Sequence, residues 1–197
     1  MTDNVYAPPQ ADLGQIEANE SEFYVVGRAK LLCLFVLTLG LYQWYWSYKQ
    51  WSQYKQATGA AIWPVARGVF SIFFVHKLYA RATQRIRDSG GSYAWDHDQW
   101  ATAFVVVSVG AYLLDALARK EQGFGVITWS VFALVFVRAW VTARGQQAIN
   151  VAANDPGGRK NARFTWLNYL LVIPGSLFWL IFLGVLGLVG FRDLAAG

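Results

Sequence analysis

Residues 164–191 contain no charged side chain, and this run constrains the fold more than any other feature of the sequence. About 20 helical residues, each rising 1.5 Å, cross the hydrocarbon core of a bilayer. The run therefore predicts a transmembrane helix at about 165–190, kinked where Pro174 interrupts it. Small residues recur along it, and we expect them to let a second helix, of this chain rather than of another copy, pack closely. They are Gly184, Gly187 and Gly190.

Three further apolar runs predict transmembrane helices, at residues 31–48, 100–118 and 124–143. The second and third are separated by a short polar turn and are expected to form an antiparallel hairpin. The composition agrees with this prediction, because 17% of the residues are aromatic and only 15% are charged. An ordinary soluble domain has about 25% charged residues. We therefore predict an all-α, polytopic transmembrane helical bundle at residues 23–197, and we exclude a soluble enzyme.

Residues 1–22 differ from the rest of the chain because they contain several Asp and Glu residues but no Lys or Arg. A segment of this kind can bury little apolar surface, so it predicts a disordered acidic tail. A cleaved signal peptide would need a basic start followed by an apolar run, and neither precedes Phe23.

Residues 64–88 allow two interpretations. Pro64 is suited to the first position of a helix, and the apolar Val75, Tyr79 and Ile86 lie opposite a basic stripe. The helix either lies in the headgroup plane with its basic face on anionic lipid, which we favour, or forms a fifth span with the stripe turned towards the bundle interior. The stripe residues expected to contact lipid or a partner are Lys77, Arg81, Arg85 and Arg87.

The distribution of Lys and Arg does not choose between four and five spans, because both arrangements obey the positive-inside rule. Five spans place the acidic tail in the cytoplasm, and four spans place it outside; both place the C-terminus outside. The five-span arrangement also predicts that Arg67 and Asp115 lie near the same membrane face and form an ion pair.

Few residues carry the chemistry of a catalytic or metal site. The triplet Asp96, His97 and Asp98 offers carboxylate and imidazole groups, but adjacent residues rarely converge on one ion, so we expect a solvated loop and no metal. Cys33 is the only cysteine and lies in an apolar run, where its thiol should stay protonated. The sequence predicts no cofactor and no enzymatic activity.

The segment Thr38-Leu39-Gly40-Leu41-Tyr42, continuing to Tyr45-Trp46, resembles the Thr-x-Gly-x-Tyr-x-x-Tyr-Trp signature of a group of small bacterial multi-pass inner-membrane proteins of unassigned function. The resemblance chiefly covers residues 31–55 and implies a location in the bacterial plasma membrane, with no catalytic residues. In physical terms, Gly40 would allow a close helix contact and Thr38 would bond a carbonyl. Tyr42, Tyr45 and Trp46 would fix the depth of the helix at the interface.

The leading functional hypothesis is a non-enzymatic membrane protein that binds anionic lipid or a membrane partner protein through the basic stripe and the aromatic belts. Nucleic acid is not expected as a partner, and a homo-oligomer is compatible with the sequence. The alternative is a small transporter or channel for an anionic or small solute. It would use the ionisable residues within or beside apolar segments, namely Arg67, His76, Lys77, Asp115 and Arg138.

Overall fold

The computed structural model describes residues 21–120 and 126–196, and all regular secondary structure in these ranges is helical. The α-helices are α1 Arg28–Leu37, α2 Tyr42–Thr58, α3 Pro64–Val69, α4 Ser71–Asp88, α5 His97–Ala118, α6 Val126–Ala152 and α7 Trp166–Ala196. A single 3₁₀ turn, Arg159–Asn161, lies between α6 and α7. The prediction of an all-α fold is confirmed for the described residues.

The predicted span at 31–48 is wrong as one continuous helix, because the chain reverses direction inside it. Leu39 and Gly40 both have positive φ, at 52° and 88°, and the second is a value that glycine adopts without steric cost. The Thr38 hydroxyl donates to the Leu34 carbonyl at 2.7 Å and accepts the Tyr42 N–H at 3.0 Å. Thr38 thus closes α1 and opens α2.

Helices α1 and α2 form an antiparallel pair, which we call the first hairpin. Tyr24, which precedes α1, exchanges hydrogen bonds of 3.0 Å with the Gln50 side chain in the middle of α2. Gln53, a turn further on, donates to the Ser21 carbonyl at 2.9 Å. The first hairpin therefore returns to the end of the bundle from which it started.

The segment 64–88 is also interrupted, at Phe70, and its two helices α3 and α4 form a second hairpin. Helix α3 runs antiparallel to α2, with Gly68 packed against Tyr48. Helix α4 turns back, since its first residue, Ser71, contacts Gln43 early in α2 and Arg81 lies over the ring of Tyr54 near the end of α2.

Helix α4 is amphipathic, as predicted, and buries its apolar face inside the bundle. Val75, Tyr79 and Ile86 are buried against α5 and α6. The helix is a packed element of the bundle rather than a separate surface helix.

Helices α5, α6 and α7 are the long elements of the bundle. Antiparallel α5 and α6 bring the rings of Trp100 and Trp140 to 5.3 Å, and α7 contacts α1 through a hydrogen bond of 3.1 Å from Trp179 to the Val36 carbonyl. Two helices in the described part of the chain are long and apolar enough to cross a membrane, at His97–Ala118 and Trp166–Val185. The prediction of four spans is therefore not confirmed.

Two ends of the bundle can be distinguished. One end, which we call the loop end, holds residues 21–27, 59–63, 89–96 and 153–165. Arg85, near the end of α4, is 3.9 Å from Glu22 there. The far end is the end where α5 terminates and α6 begins.

Candidate functional site

A network of buried amides holds residues 21–27 inside the loop end. The Gln146 carboxamide accepts hydrogen bonds from the Trp46 indole and from Gln50, and it donates to the Tyr24 carbonyl at 2.9 Å and to Asn150 at 2.7 Å. Asn150 in turn donates to the Val26 carbonyl at 3.0 Å. These bonds satisfy the backbone of a non-helical segment that packs between the helices.

Beside this network lies a cleft of about 580 Å³ at the loop end. Three lysines line it, and the described residues of its wall include no Asp or Glu. The other polar groups of the wall are amides, hydroxyls and phenols, which suit hydrogen bonding to an anion. Its lysines are Lys30, Lys49 and Lys160. The cleft therefore has the electrostatic character of an anion-binding site.

Lys30 is the most enclosed of the three lysines, with only 3% of its surface exposed. Its ammonium donates to the Asn161 side chain at 2.6 Å and to the Arg163 carbonyl at 2.8 Å. Both acceptors are neutral, and desolvation lowers the pKa of Lys30 below its ordinary value. Lys30 therefore ties α1 to the 3₁₀ turn besides contributing positive charge to the cleft.

The position of Lys160 is fixed by Asp155. The Asp155 carboxylate accepts the backbone N–H of Lys160 at 2.9 Å and that of Arg159 at 3.0 Å. Chiefly through the Lys160 N–H, these bonds lower the pKa of Asp155 despite partial desolvation. Asn161, at the end of the same turn, donates to the Tyr24 hydroxyl at 2.9 Å. The turn is thus rigidly attached to residues 21–27.

Positive charge is concentrated at the loop end and in the two hairpins. Of the 17 Lys and Arg residues, Arg144 lies in α6 beside Trp100, towards the loop end, and only Arg119, Lys120, Arg138 and Arg192 lie in other parts of the bundle. This asymmetry is sharper than the sequence analysis expected, because both hairpins carry their basic residues back to the same end.

The predicted basic stripe lies on the outer side of α4. Lys77, Arg85 and Arg87 are exposed, and Arg81 is half-buried with its guanidinium 4.2 Å from the centre of the Tyr54 ring. A role of the stripe in lipid or partner contact stays a prediction.

The aromatic motif departs from its predicted role. Tyr42 and Trp46 are buried, with 3% and 1% of their surface exposed, and only Tyr45 is exposed. They belong to the core because the hairpin turns α2 inward, where Gln146 receives the Trp46 indole N–H. The prediction that all three rings lie at an interface is therefore wrong for Tyr42 and Trp46.

The predicted pair between Arg67 and Asp115 is not formed. The Arg67 guanidinium stacks at 4.3 Å from the Trp51 ring centre, within the hairpins, whereas Asp115 is bonded at 2.7 Å to Arg119 at the far end. The second hairpin keeps Arg67 away from the far end, which is why the two charges do not meet.

The glycines predicted to pack against a helix have open surroundings where the structure describes them. A Cβ added to Gly184 or Gly187 would have no described atom within 4 Å apart from its chain neighbours and the backbone of its own helix. Gly190 lies outside the residues whose side chains are described. Gly175 is the closely packed glycine of α7, because a Cβ there would overlap the backbone of Leu37.

The triplet at the start of α5 has a structural role. Asp96 caps the helix by accepting the backbone N–H groups of Asp98 and Gln99 at 3.0 and 3.1 Å. The potential ligand atoms of Asp96, His97 and Asp98 lie within 4.8 Å of one another on the surface. The cap already occupies one of the carboxylates.

Sequence reasoning missed the amide network. Gln146 and Asn150 are one helical turn apart within a largely apolar helix, and Gln43, Ser47 and Gln50 share one face of α2. Polar residues at helical spacing inside apolar segments were the available signal.

The fold and the site together define an all-α protein with a strongly basic end and two helices that could cross a membrane. Comparisons with protein-family models, with curated proteins and with solved structures found no match. The resemblance of residues 31–55 to bacterial inner-membrane proteins therefore stays a prediction.

Proposed function

We propose that this chain is a non-enzymatic, multi-pass protein of the bacterial inner membrane that binds anionic lipid headgroups at its loop end. The observation that carries the proposal is the cleft lined by Lys30, Lys49 and Lys160, with no acidic residue among the described residues of its wall. Each basic group near an anionic membrane surface contributes on the order of 1 kcal/mol of attraction. The basic stripe of α4 lies at the same end and would add to it.

The proposed arrangement in the membrane follows from the hairpins. Helices α5, α6 and α7 would cross, while the two hairpins would enter from the loop end and return to it. Irregular backbone at membrane depth is tolerated where protein buries it, and Thr38 satisfies the turn of the first hairpin from within. The positive-inside rule would then assign the loop end to the cytoplasm.

Topology can be tested by labelling single cysteines in a Cys33→Ala background with an impermeant reagent. Cysteines replacing Ala7 and Ser92 should react only after lysis, because both belong to the cytoplasmic side. A cysteine replacing Lys120, at the far end, should react in intact cells. Labelling of the Ala7 position in intact cells would contradict this arrangement.

Lipid binding can be tested on the full chain by native mass spectrometry in mild detergent, with phosphatidylglycerol and phosphatidylethanolamine as probes. The double variant Lys49→Gln/Lys160→Gln spares the structural Lys30 and should weaken phosphatidylglycerol binding by roughly tenfold or more, from two contacts of about 1 kcal/mol each. The matched control is Lys120→Gln/Arg192→Gln, which removes two positive charges outside the loop end. Equal binding by both double variants would refute the cleft as the lipid site.

A second pair of variants separates the cleft from the basic stripe. Lys77→Gln/Arg85→Gln neutralises two exposed stripe residues and leaves the cleft intact. If only this variant loses phosphatidylglycerol, the stripe and not the cleft is the lipid-binding surface. If neither surface matters for lipid, a membrane partner protein with an acidic segment becomes the better candidate.

A further inference from the structure

A second charged site lies far from the loop end, at Arg138 in the middle of α6. Its guanidinium donates to the Gln43 side chain at 2.7 Å, and Gln43 in turn donates to Ser71 at 3.3 Å. Because Gln43 follows the turn of the first hairpin and Ser71 follows that of the second, Arg138 lies where the two hairpins turn. A Cβ at Gly40 would be 3.3 Å from its Nη1, so glycine there admits the guanidinium closely.

The charge of Arg138 has no acidic partner among the described residues. Its neighbours are the neutral Gln43 and the rings of Phe35 and Tyr112, whose centres are 6.0 and 5.8 Å from the guanidinium carbon. Its Nε is buried and unpartnered among the described residues. A largely buried cation without a counter-ion is costly. The bond to Gln43 uses Nη2, so Nη1 remains available to an acceptor.

A cavity of about 330 Å³ adjoins this guanidinium. Its walls are mainly apolar, and they are formed by the first turn together with α5 and α6. The apolar and aromatic wall residues include Leu39, Leu41, Trp44, Tyr112, Val131 and Val135. Asp115 and Arg119 also border the cavity, bonded to each other at 2.7 Å near the end of α5. The negative charge of Asp115 is therefore already paired with the positive charge of Arg119.

We propose that this cavity binds an oxyanion carried on an apolar chain, with the carboxylate or phosphate head on Arg138. A guanidinium fork is the side chain best matched to such heads. The apolar wall suits a hydrocarbon chain, and the cavity has the size of a small-molecule site. The inference rests on residues separate from the loop-end cleft, so it stands or falls independently of lipid binding there.

The test measures thermal unfolding of the full chain in uncharged maltoside micelles, with decanoate and decyl phosphate as probes. Decanol and decyltrimethylammonium carry the same chain without an anionic head, and acetate and inorganic phosphate carry the head without the chain. Decanoate and decyl phosphate should raise the unfolding temperature of the wild type, and the four control compounds should not.

Two variants test whether the rise in unfolding temperature comes from binding in the cavity. Arg138→Gln should weaken the apparent affinity for decanoate roughly 10- to 100-fold, as expected for the loss of a charge-assisted hydrogen bond. Val131→Phe should abolish the rise by filling the cavity while leaving Arg138 in place. Val131→Phe therefore tests whether the ligand binds in the cavity even if Arg138→Gln does not fold. Lys49→Gln, in the loop-end cleft, should respond like the wild type.

Three results would overturn the inference. The first is a rise of equal size in Arg138→Gln or in Val131→Phe. The second is an equal rise with decanol, which would show that the chain alone binds. The third is an equal rise with acetate or inorganic phosphate, which would remove the apolar chain from the proposed ligand and assign the site to a soluble anion.

Discussion

The amide network makes a quantitative prediction at Gln146. This residue is 2% exposed, and its side chain makes four hydrogen bonds, to Trp46, Gln50, Tyr24 and Asn150. In Gln146→Leu the volume is nearly kept, so the expected loss comes from the partners left behind. We expect this substitution to lower the free energy of unfolding markedly.

The four partners of Gln146 differ in the hydrogen bonds that they retain in Gln146→Leu. Gln50 still donates to the Tyr24 carbonyl, so both of these groups retain one hydrogen bond. The Asn150 side-chain oxygen still accepts the Val26 N–H. The Trp46 indole N–H is left without an acceptor in a residue that is 1% exposed. An orphaned buried donor costs about 1–3 kcal/mol, and each other lost bond about 0.5–1.5 kcal/mol. A total loss of roughly 2.5–7.5 kcal/mol follows from these ranges.

The assay is unfolding in mixed micelles by titration with dodecyl sulfate, followed by tryptophan fluorescence. The adjacent, half-buried Gln147 provides the matched control, and Gln147→Leu should change stability by less than about 1 kcal/mol. Trp46→Phe removes the orphaned donor, so the double variant Trp46→Phe/Gln146→Leu should be less destabilised than the sum of the single variants. Strict additivity, or equal losses in Gln146→Leu and Gln147→Leu, would refute this reasoning.

Three further predictions concern the turns and the packing. Thr38→Val should cost about 1 kcal/mol of unfolding free energy, because its hydroxyl joins α1 to α2, and Thr38→Ser should not; equal losses in the same titration would contradict this. Gly145→Ala should cost about 1–3 kcal/mol because its Cβ would overlap the Tyr79 ring. Gly184→Ala, with open space around its Cβ, should stay within about 0.5 kcal/mol, so similar losses at both glycines would disprove the packing argument. Backbone N–H groups hold the pKa of Asp155 below its ordinary value of 3.8, so their stabilisation is present above that value and lost as pH falls through the folded pKa. The unfolding temperature of Asp155→Asn should therefore fall less steeply towards acid pH than that of the wild type, and parallel curves would exclude this role.

Much of the helical content could be predicted from the sequence because it rests on local features. Pro64 begins α3, and the apolar positions Val75, Tyr79 and Ile86 form the buried face of α4. The helix-forming pattern of 100–118 reappears within α5. These predictions succeed because a helical period and a starting proline depend on neighbours a few residues apart.

The candidate sites could not be predicted in the same way, because they join distant segments. Arg138 and Gln43 are neighbours only after the first hairpin has turned back, and Lys30, Lys49 and Lys160 come together only through the packing of residues 21–27. Charge counting assigned Lys49 and Arg28 to opposite membrane sides because it treated the first apolar run as a crossing. The hairpin places both towards the same end.

The reversal at Thr38 and Gly40 shows where a physical signal was nonetheless available. Hydropathy cannot separate a hairpin from a span, because both are apolar over the same window and the difference is the sign of φ at two residues.

The face of α2 is more informative. Gln43, Ser47 and Gln50 recur at helical spacing directly after a glycine, and all three are buried against polar partners. A lipid-spanning helix would have to satisfy three such groups across hydrocarbon, at a high cost for each group left unpaired. A hairpin that lies against α3, α4 and α6 satisfies them with Arg138, Ser71, Gln146 and the backbone. A glycine followed by a polar helical face within an aromatic, apolar run therefore favours a returning hairpin over a crossing, and the Thr38 and Gln146 substitutions test the two halves of that argument separately.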